Sequence, residues 1–245
     1  MKTRIGLMGY GRAGSAAARV IQAHPDYQLS WIMRRNPQAV CGDVPVHSIY
    51  EKKLAVLLDE SPVEAIIDFS NHDAIYGYGP EIAMRKIALV SAISSYTAPE
   101  EQYLHSLGQT TRVLHSANIT LGINFLMLAA SLLRRMAPFA DIAILEQHFR
   151  EKPEVSGTAV KLANRLAVHQ DDIVSLRLGG IVGQHEVIFG FPYQTVRLIH
   201  NSISKEAFGT GALHALGLLL QEPTGSYTLD QLLLKSIQTE LATMS

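Results

Sequence analysis

The chain is short of cysteine, of unbalanced charge and of long apolar runs, and each shortage closes off a class of protein. A single cysteine, Cys41, has no partner within the chain, which excludes a disulfide framework and points to a reducing, cytoplasmic setting. Lys and Arg number 21 against 22 Asp and Glu, a formal net charge of −1 with the signs interspersed. No global field gathers nucleic acid or anionic lipid, so neither is expected as a partner. The longest apolar stretch, 121–133, contains Gly122, Asn124 and Ser131 and falls short of the roughly 18 apolar residues of a membrane span. It reads as a buried helix. Lys2 and Arg4 are followed by an apolar run that Gly9-Tyr10-Gly11-Arg12 interrupts, so no targeting segment is expected. The histidines are dispersed and no short metal-ligand spacing occurs, so no metal is assigned.

What is present is an alternation of short apolar runs with helical patterns. Residues 4–9 read as a strand ending in glycine, 15–23 as an alanine-rich helix and 28–33 as a second strand, together about thirty residues, the size of one βαβ unit. The rhythm continues with helices near 50–59, 73–85 and 98–107 and strands at 65–69, 87–91 and 112–116. Strands alternating with helices predict a Rossmann-type, doubly wound parallel sheet covered on both faces. After Asn118 a long apolar helix at 121–136 leads to a strand beginning at Asp141, then to strands near 173–178, 185–191 and 194–203, and to a helix at 206–220. Successive strands with few helices between them predict a second α+β domain with a mixed or antiparallel sheet.

Gly9-Tyr10-Gly11-Arg12-Ala13-Gly14 fits GxGxxG, a weak pattern alone, but here it ends a predicted strand and opens a predicted helix. Gly9 permits the sharp turn, Gly11 lets backbone N–H groups approach a pyrophosphate, and Gly14 lets the helix pack on the sheet. The helix N-terminus then faces the anion. About twenty residues further on, NAD-preferring proteins place an acid for the ribose 2′-hydroxyl; here stand Arg34 and Arg35. Two guanidiniums there suit a 2′-phosphate, so NADPH is the expected cofactor and NADH the alternative. Solvated turn arginines would look the same. Arg12, inside the loop, is a further phosphate candidate.

A second constellation lies in Glu146-Gln-His148-Phe-Arg-Glu-Lys152-Pro-Glu-Val-Ser156-Gly157-Thr158-Ala159, which joins a strand to a helix read at 159–166. Ser156, Gly157 and Thr158 stand where backbone N–H groups and a hydroxyl can receive a carboxylate. Lys152 adds a point charge, and His148 is able to supply a proton near neutral pH. An ordinary N-cap sequence beside a structural histidine has the same spacing. A hydride donor in one domain and a carboxylate cradle in another are, however, the two halves of a reductase.

At these residues the chain resembles the dihydrodipicolinate reductase family, whose signature runs Glu-x-His-His-x-x-Lys-x-Asp-Ala-Pro-Ser-Gly-Thr-Ala. Further landmarks agree in order: Gly11-Arg12-Ala13-Gly14, Asp68-Phe69-Ser70, Ser116-Ala-Asn118 with Gly122 and Asn124, Arg177-x-Gly179-x-Ile-Val-Gly183-x-His185, Phe208-x-x-Gly211-Ala212 and Gly225-x-Tyr-x-Leu-Asp230. The resemblance implies reduction of a cyclic unsaturated imine dicarboxylate by NAD(P)H in lysine and diaminopimelate synthesis, by a homo-oligomer, usually a tetramer. It implies that His148 donates the proton, that Lys152 assists catalysis and holds a carboxylate, and that Ser156, Gly157 and Thr158 bind that carboxylate. Ala13, Phe69 and Ser70 join the cofactor contacts. It also implies a discontinuous dinucleotide domain, 1–119 with 207–245, around a substrate and oligomerisation domain at 120–206.

The chain departs from the family pattern at several positions. The second histidine of the pair is Phe149, which has no hydrogen-bonding group. Pro153-Glu154-Val155 replaces Asp-Ala-Pro, with one residue fewer between lysine and serine. The family's Gly-Thr-Thr-Gly loop stands as Ser91-Ala92-Ile93-Ser94, and Arg34 replaces the acid that often precedes the family's arginine. A paralogue acting on another small imine or unsaturated carboxylate, and an NADPH-binding protein without turnover, are the competing expectations.

Overall fold

The structure, a computed structural model, describes residues 1–36 and 41–244. It divides into two compact units, Met1–Thr120 with Lys205–Ser245, and Leu121–Ser204. The first holds β1 (Thr3–Met8), α1 (Arg12–Ala23), β2 (Tyr27–Arg34), β3 (Val46–Ser48), α2 (Leu54–Glu60), β4 (Ala65–Asp68), α3 (Ala74–Arg85), β5 (Ala88–Ser91), α4 (Ala98–Leu107) and β6 (Arg112–His115). The second holds α5 (Leu121–Met136), β7 (Asp141–His148), α6 (Gly157–Leu166), β8 (Ile173–Arg177), β9 (Gly183–Phe191) and β10 (Gln194–Ser202). The chain then returns to the first unit as α7 (Glu206–Leu219), β11 (Gly225–Thr228) and α8 (Leu229–Met244).

In the first unit seven strands lie in the order β11-β6-β5-β4-β1-β2-β3, and every pairing is parallel. A parallel sheet must be covered on both faces, and the strands accordingly read as unbroken apolar runs; Ile66, Ile67, Leu89 and Val90 have no exposed surface. On one face Trp31, Met33 and Leu89 pack with Leu57 of α2, Ile75 and Ile82 of α3 and Leu104 of α4. Trp31 fits there because Gly6 lies beneath it, where a Cβ would come within 2.2 Å of the indole. On the other face α1 packs against α7, and Gly209 allows the approach, since its Cβ would lie 2.9 Å from Ala17 Cα. Strand order reverses between β1 and β4, so the crevice beyond their carboxyl ends is the topological switch point at which such sheets bind ligands.

The second unit is a four-stranded mixed sheet, β10-β9-β7-β8, with β9 antiparallel to both β7 and β10 and β8 parallel to β7. One face buries Ile144, Val187 and Phe189 against Ile123, Leu126 and Met127 of α5 and Leu162 and Leu166 of α6. Side chains alternate across a strand, so Glu146 and His148 continue the face of Ile144 towards the strand end. The register sets Glu146 opposite Ser175 on one side and His185 on the other, with His200 next beyond His185. The opposite face leaves Val174, Leu176 and Ile199 exposed at 51, 38 and 51%. No helix among the described residues is long and apolar enough to cross a membrane.

Candidate active site

The glycine fingerprint occupies the turn between β1 and α1. Gly9 N–H donates to Met33 O at 2.8 Å and Phe69 N–H to Met8 O at 2.8 Å, which pins the turn to the ends of both neighbouring strands. Gly9 has φ +88°, and a Cβ there would lie 2.6 Å from the Phe69 carbonyl. A Cβ on Gly14 would lie 2.3 Å from Gly9 O. Both glycines are thus demanded by the packing of the turn itself. Gly11 differs: a Cβ there meets nothing within 4 Å, so its absence keeps open the space in front of the loop. Gly11 is also the N-cap of α1, offers no side-chain cap, and is followed by a first turn without acids. The orphan N–H groups and the positive end of the helix dipole are left for an anion. Arg12, exposed, and Ala13, half-buried, follow in that turn.

Arg34 closes β2 with its guanidinium 5.8 Å from the centroid of the Tyr10 ring, a cation–π separation. Arg35 turns elsewhere, with Nη2 3.7 Å from Asp73 Oδ1 at the N-cap of α3. At the end of β4, Phe69 backs the fingerprint, while Ser70 folds back so that its N–H and hydroxyl donate to Asp68 Oδ1 at 2.7 and 2.6 Å. The Tyr78 hydroxyl donates to the other oxygen. Burial pushes the Asp68 carboxyl up, although these hydrogen bonds oppose it. Asp68 therefore caps a turn. Ser91, which opens the altered loop, is buried and its hydroxyl is 2.9 Å from the Tyr96 hydroxyl. Glycines at the turn, an uncapped helix and an arginine over the loop fit a nicotinamide dinucleotide.

In the second unit His148 is the last residue of β7 and almost wholly buried, and its Nδ1 is hydrogen-bonded to Glu146 Oε2. Glu146 has no exposed surface. Its other oxygen, Oε1, accepts from Arg177 Nη2 at 2.8 Å, the Ser175 hydroxyl at 2.8 Å and Ser156 N–H at 3.3 Å. Burial alone would raise this carboxyl, but the bonds from Arg177, Ser175 and His148 outweigh it and lower it to about 2. Arg177 also donates through Nε to Lys152 O at 3.0 Å and through Nη2 to Glu154 O at 2.8 Å. One guanidinium thereby fastens the shortened loop that carries Lys152 to the strand that carries His148.

The helix that follows begins at Gly157 rather than at 159, with Ser156 as its N-cap. The Ser156 hydroxyl does not cap the helix; it lies 2.8 Å from His185 Nε2 in a buried contact. Gly157 is exposed, and a Cβ there meets nothing within 4 Å; Thr158 is half-buried in the same turn. The His185 ring stands edge-on to His148 with centroids 5.3 Å apart. Burial, then the neighbouring His148 and His200, lower His185 to about 4, so it is neutral near pH 7. Its Nδ1 is buried without a hydrogen-bond partner, as is Nδ1 of His200.

Two family models cover nearly the whole chain: "Dihydrodipicolinate reductase, N-terminus" matches residues 3–119 and "Dihydrodipicolinate reductase, C-terminus" residues 119–233. The chain belongs to the dihydrodipicolinate reductase family. Membership makes it an oxidoreductase that uses a nicotinamide cofactor, NAD(P)H. Relatives named 4-hydroxy-tetrahydrodipicolinate reductase include one from Xanthomonas euvesicatoria, 32% identical over 91% of this chain and 94% of that one. Another, from Caldanaerobacter subterraneus, is 29% identical over 92% and 95%. Among solved structures, a dipicolinate-bound dihydrodipicolinate reductase from Paenisporosarcina sp. TG-14 shares the fold, with a TM-score of 0.79 at 19% identity over 93% of this chain and 98% of that one.

Of the residues held together in the second unit of this dihydrodipicolinate reductase family member, His148, Lys152 and Ser156 to Thr158 stand out in the sequence, whereas Glu146, Ser175 and Arg177 do not stand out as a group. Two signals were available. Glu146 and His148 are two residues apart on a strand and so share a face, and a glutamate on a face that is otherwise buried requires partners.

Proposed function

We propose that the chain reduces a dihydrodipicolinate-type cyclic imine dicarboxylate in lysine and diaminopimelate synthesis, with NADPH preferred and NADH as the alternative donor. The observation that carries this reading is the single strand–loop–helix segment, within the matched family region, in which an oriented histidine, a fastened lysine loop and an open helix N-terminus occur together. A bound reduced nicotinamide supplies a hydride to a ring carbon. His148 gives a proton to complete the reduction. Lys152 and the first turn of α6 hold a substrate carboxylate by charge and by the backbone N–H groups of Gly157 and Thr158, while Ser156, engaged with Glu146 and His185, fixes where that turn begins. The turn from Gly9 to Gly14 with Phe69 and Ser70 seats the dinucleotide, and Arg34 and Arg35 favour a 2′-phosphate.

The division of labour follows: the first unit binds cofactor, and the second binds substrate and assembles the protein as a homo-oligomer, a tetramer by family likeness, in the cytoplasm. The exposed apolar sheet face at Val174, Leu176 and Ile199 supports assembly through the second unit. One departure favours a second reading. Phe149, 41% exposed, removes the polar group that the second histidine brings in the family, as expected of a paralogue reducing a different small imine or unsaturated carboxylate. Steady-state oxidation of NADPH with dihydrodipicolinate precursor generated in situ, beside a panel of cyclic imino acids, separates the two: turnover confined to another imine rejects the first reading.

A further inference from the structure

We infer that Glu146 is a positioning residue that fixes the tautomer of His148, so that Nδ1 always carries a hydrogen and Nε2 is the atom that gives up and regains the proton. The inference rests on the reading of His148 as proton donor. Four donors converge on one carboxylate. Arg177 Nη2, the Ser175 hydroxyl and Ser156 N–H all point at Oε1, and the His148 ring meets Oε2 through Nδ1. An ionised carboxylate only accepts hydrogen bonds, and a carboxyl held at about 2 is ionised throughout the range in which enzymes work. The atom facing Oε2 must therefore be a donor, Nδ1–H, in the neutral ring and in the imidazolium alike.

The consequence is a fixed direction of transfer. When the imidazolium gives its Nε2 proton to substrate, the ring left behind is the Nδ1–H tautomer, and its Nε2 lone pair takes the next proton without the ring turning. The surroundings keep that edge of the ring in place. Gly183 lies beside it, where a Cβ would come to 3.0 Å from Nε2, so a larger residue would crowd the reacting atom. His185, the ring packed edge-on, brings no competing charge near neutral pH. The same carboxylate accepts from Ser156 N–H and from the arginine that ties down Lys152 and Glu154. Proton donor and cradle are thus indexed to a single group.

Glu146→Gln tests this because an amide has one accepting oxygen. With that oxygen serving Arg177, Ser175 and Ser156, the NH₂ group faces Nδ1 and forces it to accept, which moves the hydrogen of the neutral ring to Nε2. The expected result is a fall in kcat of about 100-fold, within the range attributed to a positioned general acid, with KM and NADPH affinity changed less than about threefold. Ring ¹⁵N spectra should show His148 as Nδ1–H in the parent and Nε2–H in the variant. A parent spectrum showing Nε2–H overturns the inference, whether or not the variant folds. A variant that loses kcat while keeping the parent tautomer also overturns it, because the glutamate would then act only as a structural support. Undiminished turnover in His148→Gln would instead reject His148 as donor and leave the tautomer result standing, so the two failures are distinguishable.

Discussion

The candidate sites of the two units are built by opposite means. In the first, the candidate surface is mainly backbone: a turn between one strand and one helix, shaped by glycines whose missing Cβ atoms either allow the turn to close or leave its front open. In the second, it is a cluster of side chains from three strands and the N-terminus of α6, gathered around one buried carboxylate. A backbone cradle is local and tolerates changes among its neighbours. A convergent cluster is cooperative, because Glu146, His148, Ser156 and His185 are buried polar groups that depend on their neighbours in it for hydrogen bonds.

The largest effect that sharpens this comparison is expected in the second unit. Lys152→Ala and His148→Gln should each reduce kcat by about 100-fold or more while NADPH affinity, measured by fluorescence titration, stays within about threefold. Cofactor affinity that collapses with either variant breaks the separation of roles. Next in size is the double change Arg34→Gln with Arg35→Gln, expected to weaken NADPH by about 10- to 100-fold, the worth of one or two charge-assisted contacts, and to leave NADH nearly unchanged. Equal weakening of both cofactors removes the 2′-phosphate assignment. Since Arg34 lies over Tyr10 and Arg35 beside Asp73, the single variants show which of the two carries the effect.

The smallest effect is a pH-dependent difference between the units. Glu146 is lowered from 4.5 to about 2 and His185 from 6.5 to about 4, so at both sites the unfolded chain binds protons more readily than the folded one. The stability that His185 contributes is present above pH 6.5 and is lost as pH falls towards 4; that of Glu146 is present above 4.5 and is lost towards 2. Asp68 works in the opposite sense, because burial raises it and the folded state holds its proton more tightly. Hydrogen-exchange protection of β7 and β9 should therefore decline on acidification before that of β1 and β4. The reverse order would contradict the electrostatic account of the buried cluster.

Those differences also explain what was legible in the sequence. The alternation of strands and helices could be read because both periodicities are strong, and the glycine fingerprint because its residues are contiguous. Strand β3, only three residues long, and β11, Gly-Ser-Tyr-Thr with little apolar content, carry no readable period; they are strands because parallel neighbours supply their partners. Helix α6 starts two residues early because Ser156 is already fixed by His185 and Glu146, a tertiary cause to which propensity is blind. His148 and Lys152 stood out by spacing. The hub at Glu146 did not, since Ser175 and Arg177 reach it from 29 and 31 residues away, across a strand register that the chain does not announce. The role expected of Ser156 also changes in emphasis, from a hydroxyl offered outwards to one engaged with His185.

The most direct test of the account is the rate of NADPH oxidation by the purified protein with dihydrodipicolinate precursor generated in situ, run in parallel with NADH. The account predicts substrate-dependent turnover that is faster at limiting NADPH than at equal NADH. Binding of NADPH without any turnover of that substrate would contradict it, and would mean a family fold turned to another imine or to none.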